Sequence, residues 1–315
     1  MPQFPFLSQI TFIRMRITFE AVEPLVLTEY PGSALRSCMM EAMLGSACIK
    51  QQKTECIATC DERYTCPWSV LFNSYSLPEH PHHKNHVHTP EPYIIEPFAG
   101  NQTVFKKGET FGFDFTLIGK GISYLHLVIS SFQNMGDIGI GRCRGKFKPV
   151  RLESLNANLD YEPLSYFGQP EVLSLSKLMV PKVEKKIIID QQTEFRTKVG
   201  KKLLTTPPPF QLFVKQLTIR LSLLAHFHCE AAWFDFKNFP FPTEVEMKDE
   251  DTQIEHLERK SRTMKPIMKM DGPVGKFIYE GEGLNDWMPL ITLGSWLHVG
   301  STTSMGLGKY AIIEE

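Results

Sequence analysis

The chain has 315 residues, 42% of them hydrophobic, which is enough for two ordinary domains and excludes a disordered protein. Its formal net charge is -1, so it is not a strongly basic protein, and any surface that binds nucleic acid has to be local. The chain lacks a signal-peptide pattern at its start and a run of about 18 apolar residues, so we expect a soluble, cytoplasmic protein with no membrane partner.

The first half of the chain has the pattern of two strand-helix-strand repeats. Residues 13–19 alternate between apolar and polar side chains, which predicts a half-buried strand. Ser33 can cap a helix that ends near Gly45. Two strands are predicted at PYIIEPF and ETFGFDFTLI, a second helix at residues 119–135, and a last strand after the glycine-rich segment GDIGIGRCRGKFKPV.

A cysteine- and histidine-rich insert, residues 48–92, interrupts this first half. Cys48, Cys56, Cys60 and Cys66 have the spacing C-x7-C-x3-C-x5-C, and four thiolates could hold a zinc ion or an iron–sulfur cluster. The spacing lacks a CxxC pair, so buried free cysteines are the alternative. Because the insert has few large apolar residues, we expect a metal centre that stabilises it and takes no part in catalysis.

The second half repeats the pattern of the first. Residues 151–180 show no sustained periodicity of apolar side chains and are predicted to be a linker. After them come a strand at 186–197, a helix beginning after Pro209, a charged segment, a strand at GKFIYEG, a helix at 286–296 and a strand in GLGKYAII. We therefore predict an α+β fold of two tandem ferredoxin-like (RRM-like, βαββαβ) domains, at 1–150 and 181–315, with the insert in the first.

Cations cluster locally in a chain whose overall charge is near zero. The run RCRGKFKPVR, residues 142–151, has five cations and no acid, and residues 182–202 and 259–276 are also rich in cations. Candidate contacts to nucleic-acid phosphates in these runs are Arg142, Arg144, Lys146, Arg259 and Arg262. The alternative is that the runs are ordinary solvated surfaces.

A glycine-rich loop, HVGSTTSMGLGKY, occupies residues 298–310. Without a Cβ, glycine lets backbone N–H groups approach phosphate oxygens, while hydroxyls and a lysine add donors and charge. A turn before an edge strand is the alternative. The residues predicted to contact phosphate are Gly300, Ser301, Thr302, Thr303, Gly306, Gly308 and Lys309.

Several segments together resemble one family over nearly the whole chain. LHVGSTTSMGLGKY resembles the glycine-rich loop of the RAMP superfamily, and PPPFQLFVKQLTIRLSLL resembles the first helix of its second domain. ERKSRTMKPIMKMDGPVGKFIYEG and GSALRSCMMEAMLGSAC are also similar to that superfamily's segments, and CPWSVLF, PYIIEPF and TLIGKG look like a subfamily with a cysteine-rich insert. Within the superfamily, the chain resembles the CRISPR repeat-processing endoribonucleases, the Cas six family.

The resemblance implies that the chain cuts CRISPR repeat RNA into guide RNAs without a catalytic metal. In this chemistry the RNA's own 2′-OH attacks the adjacent phosphate and leaves a 2′,3′-cyclic phosphate, with a base, an acid and charge-stabilising donors from the protein. The alternative is a non-catalytic RAMP subunit that binds guide RNA inside a CRISPR effector complex.

Three residues are candidates for the catalytic roles that the resemblance implies. Family members often carry a histidine in or just after the first helix, and the corresponding helix of this chain contains none. Tyr30 and Arg36 lie at the matching turn and helix start. His298 enters the glycine-rich loop and is the first candidate for the base, because histidine titrates near neutral pH. The alternative is that His298 has a structural role and packs between Leu297 and Val299.

Overall fold

The structure is a computed structural model that describes residues 4–48, 50, 60–100, 102–255, 258–259 and 268–313. The chain divides into two compact units. The N-terminal unit consists of Thr11–Leu173 and Phe227–Glu230, and the C-terminal unit consists of Met1–Ile10, Ser174–His226 and Ala231–Glu315. These bounds differ from the predicted domains, because residues 1–10 join the second unit and residues 151–173 join the first.

The N-terminal unit is a ferredoxin-like βαββαβ unit. Its four main strands have the antiparallel order β3-β5-β1-β6, with β7 paired to β6 at the edge, and β2 pairs with β4 separately. The elements in chain order are β1 Thr11–Ala21, β2 Leu25–Val26, α1 Gly32–Ala47, α2 Pro67–Phe72, β3 Tyr93–Pro97, β4 Val104–Phe105, β5 Thr110–Ile118, α3 Leu125–Ile138, β6 Phe147–Leu155, β7 Tyr161–Pro163 and β8 Leu173–Ser174.

The core of this unit lies between one face of the sheet and helices α1 and α3. Ile13, Met15, Ile17 and Phe19 alternate along β1 and are fully buried, as the sequence pattern predicts. The ring of Phe19 meets that of Phe132 from α3 edge to face, with 6.3 Å between centroids. Fully burying a side chain of this size contributes about 1.5–3 kcal/mol, so β1 is a principal source of the unit's stability.

The C-terminal unit repeats the same topology. Its sheet has the antiparallel order β12-β15-β9-β16, and the short hairpins β10-β11 and β13-β14 lie outside that sheet. The elements are β9 Lys186–Gln191, β10 Lys198–Val199, β11 Lys202–Leu203, α4 Phe210–His228, β12 Glu246–Glu255, β13 Glu258–Arg259, β14 Met268–Lys269, β15 Gly272–Glu280, α5 Met288–Leu297 and β16 Tyr310–Ile313. Both units therefore confirm the predicted ferredoxin-like fold.

Aromatic side chains join helix and sheet in the core of the C-terminal unit. The Phe213 ring of α4 lies 5.8 Å from that of Tyr279 and 5.3 Å from that of Tyr310. Both tyrosine hydroxyls are buried, and each donates to a backbone carbonyl, of Pro208 at 2.9 Å and of Ile291 at 2.6 Å. Because these polar groups are paired, the core buries two tyrosines without leaving a hydroxyl unsatisfied.

Two segments differ from the elements predicted for them. The charged segment before GKFIYEG contains β12, which pairs with β15 from Glu246↔Glu280 to Glu255↔Gly272. The predicted linker begins inside β6 and contains β7. A register shift between Thr18 and Phe19 disturbs the pairing of β6 with β1, so β6 lacks the regular alternation that identifies a strand.

Among the described residues, no helix combines the length and the apolar character that crossing a membrane requires.

Candidate nucleic-acid interface

The glycine-rich loop connects α5 to β16 and needs glycine for its backbone shape. Gly300, Gly306 and Gly308 have φ angles of 82°, 94° and 76°. A Cβ at Gly308 would lie 1.8 Å from the carbonyl oxygen of Val299, and one at Gly300 would lie 2.7 Å from that of Arg196. Both positions therefore exclude a side chain through steric contact as well as through conformation.

The loop is held against the segment that follows β9. The Ser301 amide donates to the Arg196 carbonyl at 2.9 Å, and the Gly308 amide donates to that of Glu194 at 3.1 Å. The Thr193 hydroxyl accepts from the Lys309 amide and donates to the Gly306 carbonyl, both at 2.9 Å. The amides of Ser301, Gly308 and Lys309 thus have acceptors inside the protein, which corrects the expectation that they are directed at phosphates.

The start of the loop is its most accessible part. Thr303, Ser304, Gly306 and Gly308 are buried together with the apolar side chains between them, whereas Ser301 is exposed. We call Gly300, Ser301 and Thr302 the loop tip. Thr302 has a φ of 67°, a strained conformation for a β-branched residue, and such strain often accompanies functional sites.

A cation that the sequence analysis did not single out lies at the loop tip. Arg196 donates through Nη1 to the Ser301 hydroxyl at 2.9 Å and through Nε to the Lys269 carbonyl at 3.2 Å. The Ser301 hydroxyl donates in turn to the Arg196 carbonyl at 2.9 Å. Partial burial lowers the pKa of Arg196, and the charge of Asp271 opposes that shift, so the guanidinium remains a fixed, charged donor.

His298 has the surroundings of a structural residue. Its side chain is fully buried between Leu297 and Val299, both also fully buried, and Nδ1 lies 3.0 Å from the carbonyl oxygen of Leu307. A carbonyl can only accept, so Nδ1 carries the proton of this hydrogen bond. RNA cannot reach an enclosed imidazole, and the geometry therefore favours packing over the predicted role as base.

Arg36 connects elements within the N-terminal unit. Its side chain is 11% exposed, pairs with the carboxylate of Glu91, and donates through Nη2 to the Phe72 carbonyl at 3.0 Å. Burial alone would lower the pKa of Arg36, but interactions with Tyr93 and with the Glu91 carboxylate raise it overall. Since these contacts occupy the guanidinium, they favour a structural role over the predicted catalytic one.

Tyr30 lies two residues before α1 and is half-buried. Its carbonyl accepts a hydrogen bond from the Thr28 hydroxyl at 2.9 Å, which fixes the turn into the helix. The catalytic role of Tyr30 stays a prediction.

The cations of the run at 142–151 have different surroundings. Arg144 forms two hydrogen bonds with the carboxylate of Glu41, at 3.0 and 3.2 Å. Lys146 donates to the carbonyls of Asp137 and Ile138 at the C-terminus of α3, where a cation interacts favourably with the helix dipole. Arg142 is exposed and forms no ion pair within the part of the chain that the structure describes.

The other predicted basic residues lie at the edge of the described chain. The backbone of Arg259 pairs with Met268 in the hairpin β13-β14, and Arg262 lies outside the described residues. Their contacts to phosphate stay predictions.

The predicted metal centre falls partly on the described residues. Cys48 and Cys60 are half-buried, Cys66 is buried with its Sγ 3.7 Å from the Ala47 carbonyl, and Cys56 lies outside the described residues. Within the ranges described, no three His, Cys, Asp or Glu side chains are grouped as a metal site would require. The zinc or iron–sulfur centre stays a prediction.

The sheet face of the N-terminal unit opposite its helices is occupied by ion pairs. Arg14, 8% exposed, pairs with the carboxylates of Glu96 and Asp114 and donates to the Tyr161 hydroxyl at 3.0 Å. Arg16 also pairs with Asp114, at 2.8 Å, and its guanidinium lies 3.9 Å from the centre of the Tyr161 ring. The arginines of this face thus bind carboxylates of the same face, which leaves them poorly suited to phosphates.

Family models match both parts of the chain. Residues 190–310 match the model of the CRISPR-associated endoribonuclease Cas6. Residues 9–174 match a second model, AF_1859_N, described as an N-terminal domain. No curated protein matches the sequence at a significant level.

Solved Cas6 structures share this fold at low sequence identity. A chain of a partial Cas6-RT-Cas1–Cas2 complex is 14% identical with a TM-score of 0.56, and the match covers 98% of this chain and 47% of that one. A Cas6 product complex is 14% identical with a TM-score of 0.56, covering 96% and 100% of the two chains. Thermus thermophilus Cas6 is 12% identical with a TM-score of 0.51, covering 96% and 99%.

This chain therefore spans about half the length of the matched chain in the partial Cas6-RT-Cas1–Cas2 complex and nearly all of the Cas6 chain in the other two structures. Residues 190–310 therefore belong to the Cas6 family of CRISPR-associated endoribonucleases, and solved Cas6 structures share the fold of the chain as a whole.

Proposed function

We propose that this chain cuts CRISPR repeat RNA into guide RNAs by attack of the RNA's own 2′-OH, leaving a 2′,3′-cyclic phosphate and using no catalytic metal. The observation that carries the proposal is the contact between Arg196 and Ser301 at the accessible loop tip. It fixes a cation and a hydroxyl at the one exposed part of the loop that the Cas6 model covers.

Arg196 is suited to stabilise the charge that develops on the phosphate. Its Nε and Nη1 are oriented by Lys269 and Ser301, and among the described residues Nη2 has no protein acceptor. Donors that are already oriented need no rearrangement when charge builds up in the transition state. Ser301 and the strained Thr302 then limit where the phosphate sits.

A second candidate function is a RAMP subunit that binds guide RNA without cutting it. Two observations favour it. Helix α1 contains no histidine, and His298 is fully buried, so neither predicted location supplies an accessible imidazole. Both functions require the same phosphate contact, and turnover separates them.

The deciding experiment incubates the purified chain with its host's repeat RNA in excess EDTA. Cleavage should continue, because an internal 2′-OH nucleophile needs no metal-bound water, and the products should carry a 2′,3′-cyclic phosphate. A deoxyribose at the cut position should stop cleavage and leave binding intact. Cleavage of that deoxy substrate would refute the mechanism, whereas tight binding without turnover would support the guide-RNA subunit.

A further inference from the structure

A short basic hairpin follows Arg196 in the C-terminal unit. Strands β10 and β11 pair through Lys198↔Leu203 and Val199↔Lys202, with Gly200 in the turn at a φ of 63°. The two strands are joined at the base of the hairpin by the Leu204 amide, which donates to the Thr197 carbonyl at 3.0 Å, and the Thr197 side chain is buried in the unit. Its base is therefore anchored, and its turn extends into solvent.

The hairpin is accessible and strongly cationic. Lys198, Lys201 and Lys202 are all exposed, and Val199 at the end of β10 is 56% exposed. No ion pair joins these three lysines within the described ranges. The sequence contains no acid from residue 195 to residue 229, so the hairpin's charge is not neutralised by its own segment.

The distribution of cations favours a polyanion as the partner. Residues paired across a ladder share a face, so Lys198 and Lys202 project to opposite faces of the hairpin, and Lys201 lies at its turn. From residue 196 to residue 209 there is no aromatic side chain to stack on a base or to anchor a protein interface. Such a surface suits phosphates, which carry charge but no sequence information.

The hairpin is continuous with the proposed phosphate site. Lys198 follows Arg196 by two residues, which places their Cα atoms within about 7 Å of each other. We infer that the β10-β11 hairpin is a second RNA-binding surface, which contacts the sugar–phosphate backbone of the substrate beyond the cut site regardless of sequence. This inference rests on the proposed function.

The test replaces the hairpin lysines together, as Lys198→Gln, Lys201→Gln and Lys202→Gln. The matched control is Lys185→Gln, Lys215→Gln and Lys248→Gln, which removes the same charge from exposed positions of the same unit. Two of the control lysines already pair with carboxylates, those of Glu282 and Glu280. Binding of repeat RNA and of a scrambled RNA is measured by fluorescence anisotropy over a range of salt concentrations, with thermal unfolding as the check on folding.

The hairpin variant should bind both RNAs more weakly, and the slope of log K against log salt concentration should fall by about 2, since each lost phosphate contact removes about 0.7–0.9. The control should keep the wild-type slope and the wild-type cleavage rate at saturating RNA. An unaltered slope in the hairpin variant, or an equal loss in the control, overturns the inference while the proposed function stands. A wild-type protein that neither binds nor cuts repeat RNA overturns both.

Discussion

The two glycine-rich loops occupy equivalent places in the two units, between the second helix of each βαββαβ unit and its last strand. In the first loop, residues 139–145, Gly139 and Gly141 have φ angles of 81° and 79°. A Cβ at Gly141 would lie 2.1 Å from the Val26 carbonyl, much as one at Gly308 would lie against Val299. Both loops thus require glycine, because each has positions with a positive φ and no space for a Cβ.

The chemistry that the two loops present has diverged. The first loop carries its own arginines, and Arg144 is paired with Glu41. The second carries the hydroxyl of Ser301, to which Arg196 donates from a separate segment. Glycine therefore gives both loops the same backbone shape, and the loop proposed to bind RNA differs in having a cation that is held by hydrogen bonds to Ser301 and the Lys269 carbonyl.

The largest effect, a loss of folding stability, is expected from substituting a tightly packed glycine of the second loop. Gly308→Ala should destabilise the protein by more than about 3 kcal/mol, because a Cβ there would meet backbone and the φ is unfavourable for alanine. Gly200→Ala is the control, since its φ is also positive but nothing lies within 4 Å of the added Cβ. It should cost about 1 kcal/mol. Equal losses for the two variants in urea unfolding would mean that strain alone explains these glycines.

Substituting Arg196, which contacts the second loop, and Arg144 of the first loop directly tests the proposed difference between the two loops. Arg196→Gln should slow single-turnover cleavage of repeat RNA by about 100-fold or more, as when a donor to a transition-state oxyanion is lost. Arg144→Gln should leave the rate unchanged, because Glu41 already neutralises that side chain. A slow Arg144 variant beside a normal Arg196 variant would transfer the phosphate site to the first loop.

Substitutions of His298 distinguish a structural role from a catalytic role for this residue of the second loop. His298→Ala should destabilise the protein by about 2 kcal/mol through a cavity and a lost hydrogen bond, yet the folded fraction should cleave at the wild-type rate. His298→Asn, which can retain a donor to the Leu307 carbonyl, should recover part of the stability. A general base contributes about 100-fold or more, so a fall of that size in both variants would restore the predicted catalytic role.

The smallest expected effect comes from blocking the first loop with a thiol reagent. Cys143 at its tip is exposed, whereas burial raises the pKa of Cys38 to about 12 and keeps that thiol protonated and unreactive at about pH 8. A bulky maleimide on Cys143 should leave cleavage unchanged. The same reagent on a Ser301→Cys variant that also carries Cys143→Ser should abolish it. Peptide mass spectrometry assigns the labelled positions, and inhibition through Cys143 would contradict the comparison.

Sequence predicted the elements whose signal is local and periodic. The alternation of Ile13, Met15 and Ile17 identifies β1 because one face of that strand is buried. The highly charged β12 has no such alternation, and pairing with β15 makes it a strand. Sequence could not show that His298 is enclosed, since burial depends on the whole core.

Arg196 was hidden from sequence reasoning for a similar reason. Its partner Ser301 is 105 residues away, so no local pattern joins them. The available signal was its place in a long stretch without acids, which indicates charge and not position.

Arg196 lies beside two surfaces of the C-terminal unit: it contacts the loop tip and precedes the β10-β11 hairpin by two residues. In thermodynamic terms, a residue shared by two binding surfaces makes their free energies of RNA binding interdependent. Combining Arg196→Gln with the hairpin substitutions should therefore weaken binding by less than the sum of the separate effects. The size of that non-additivity measures the energetic coupling between binding of the scissile phosphate and binding of the flanking RNA backbone.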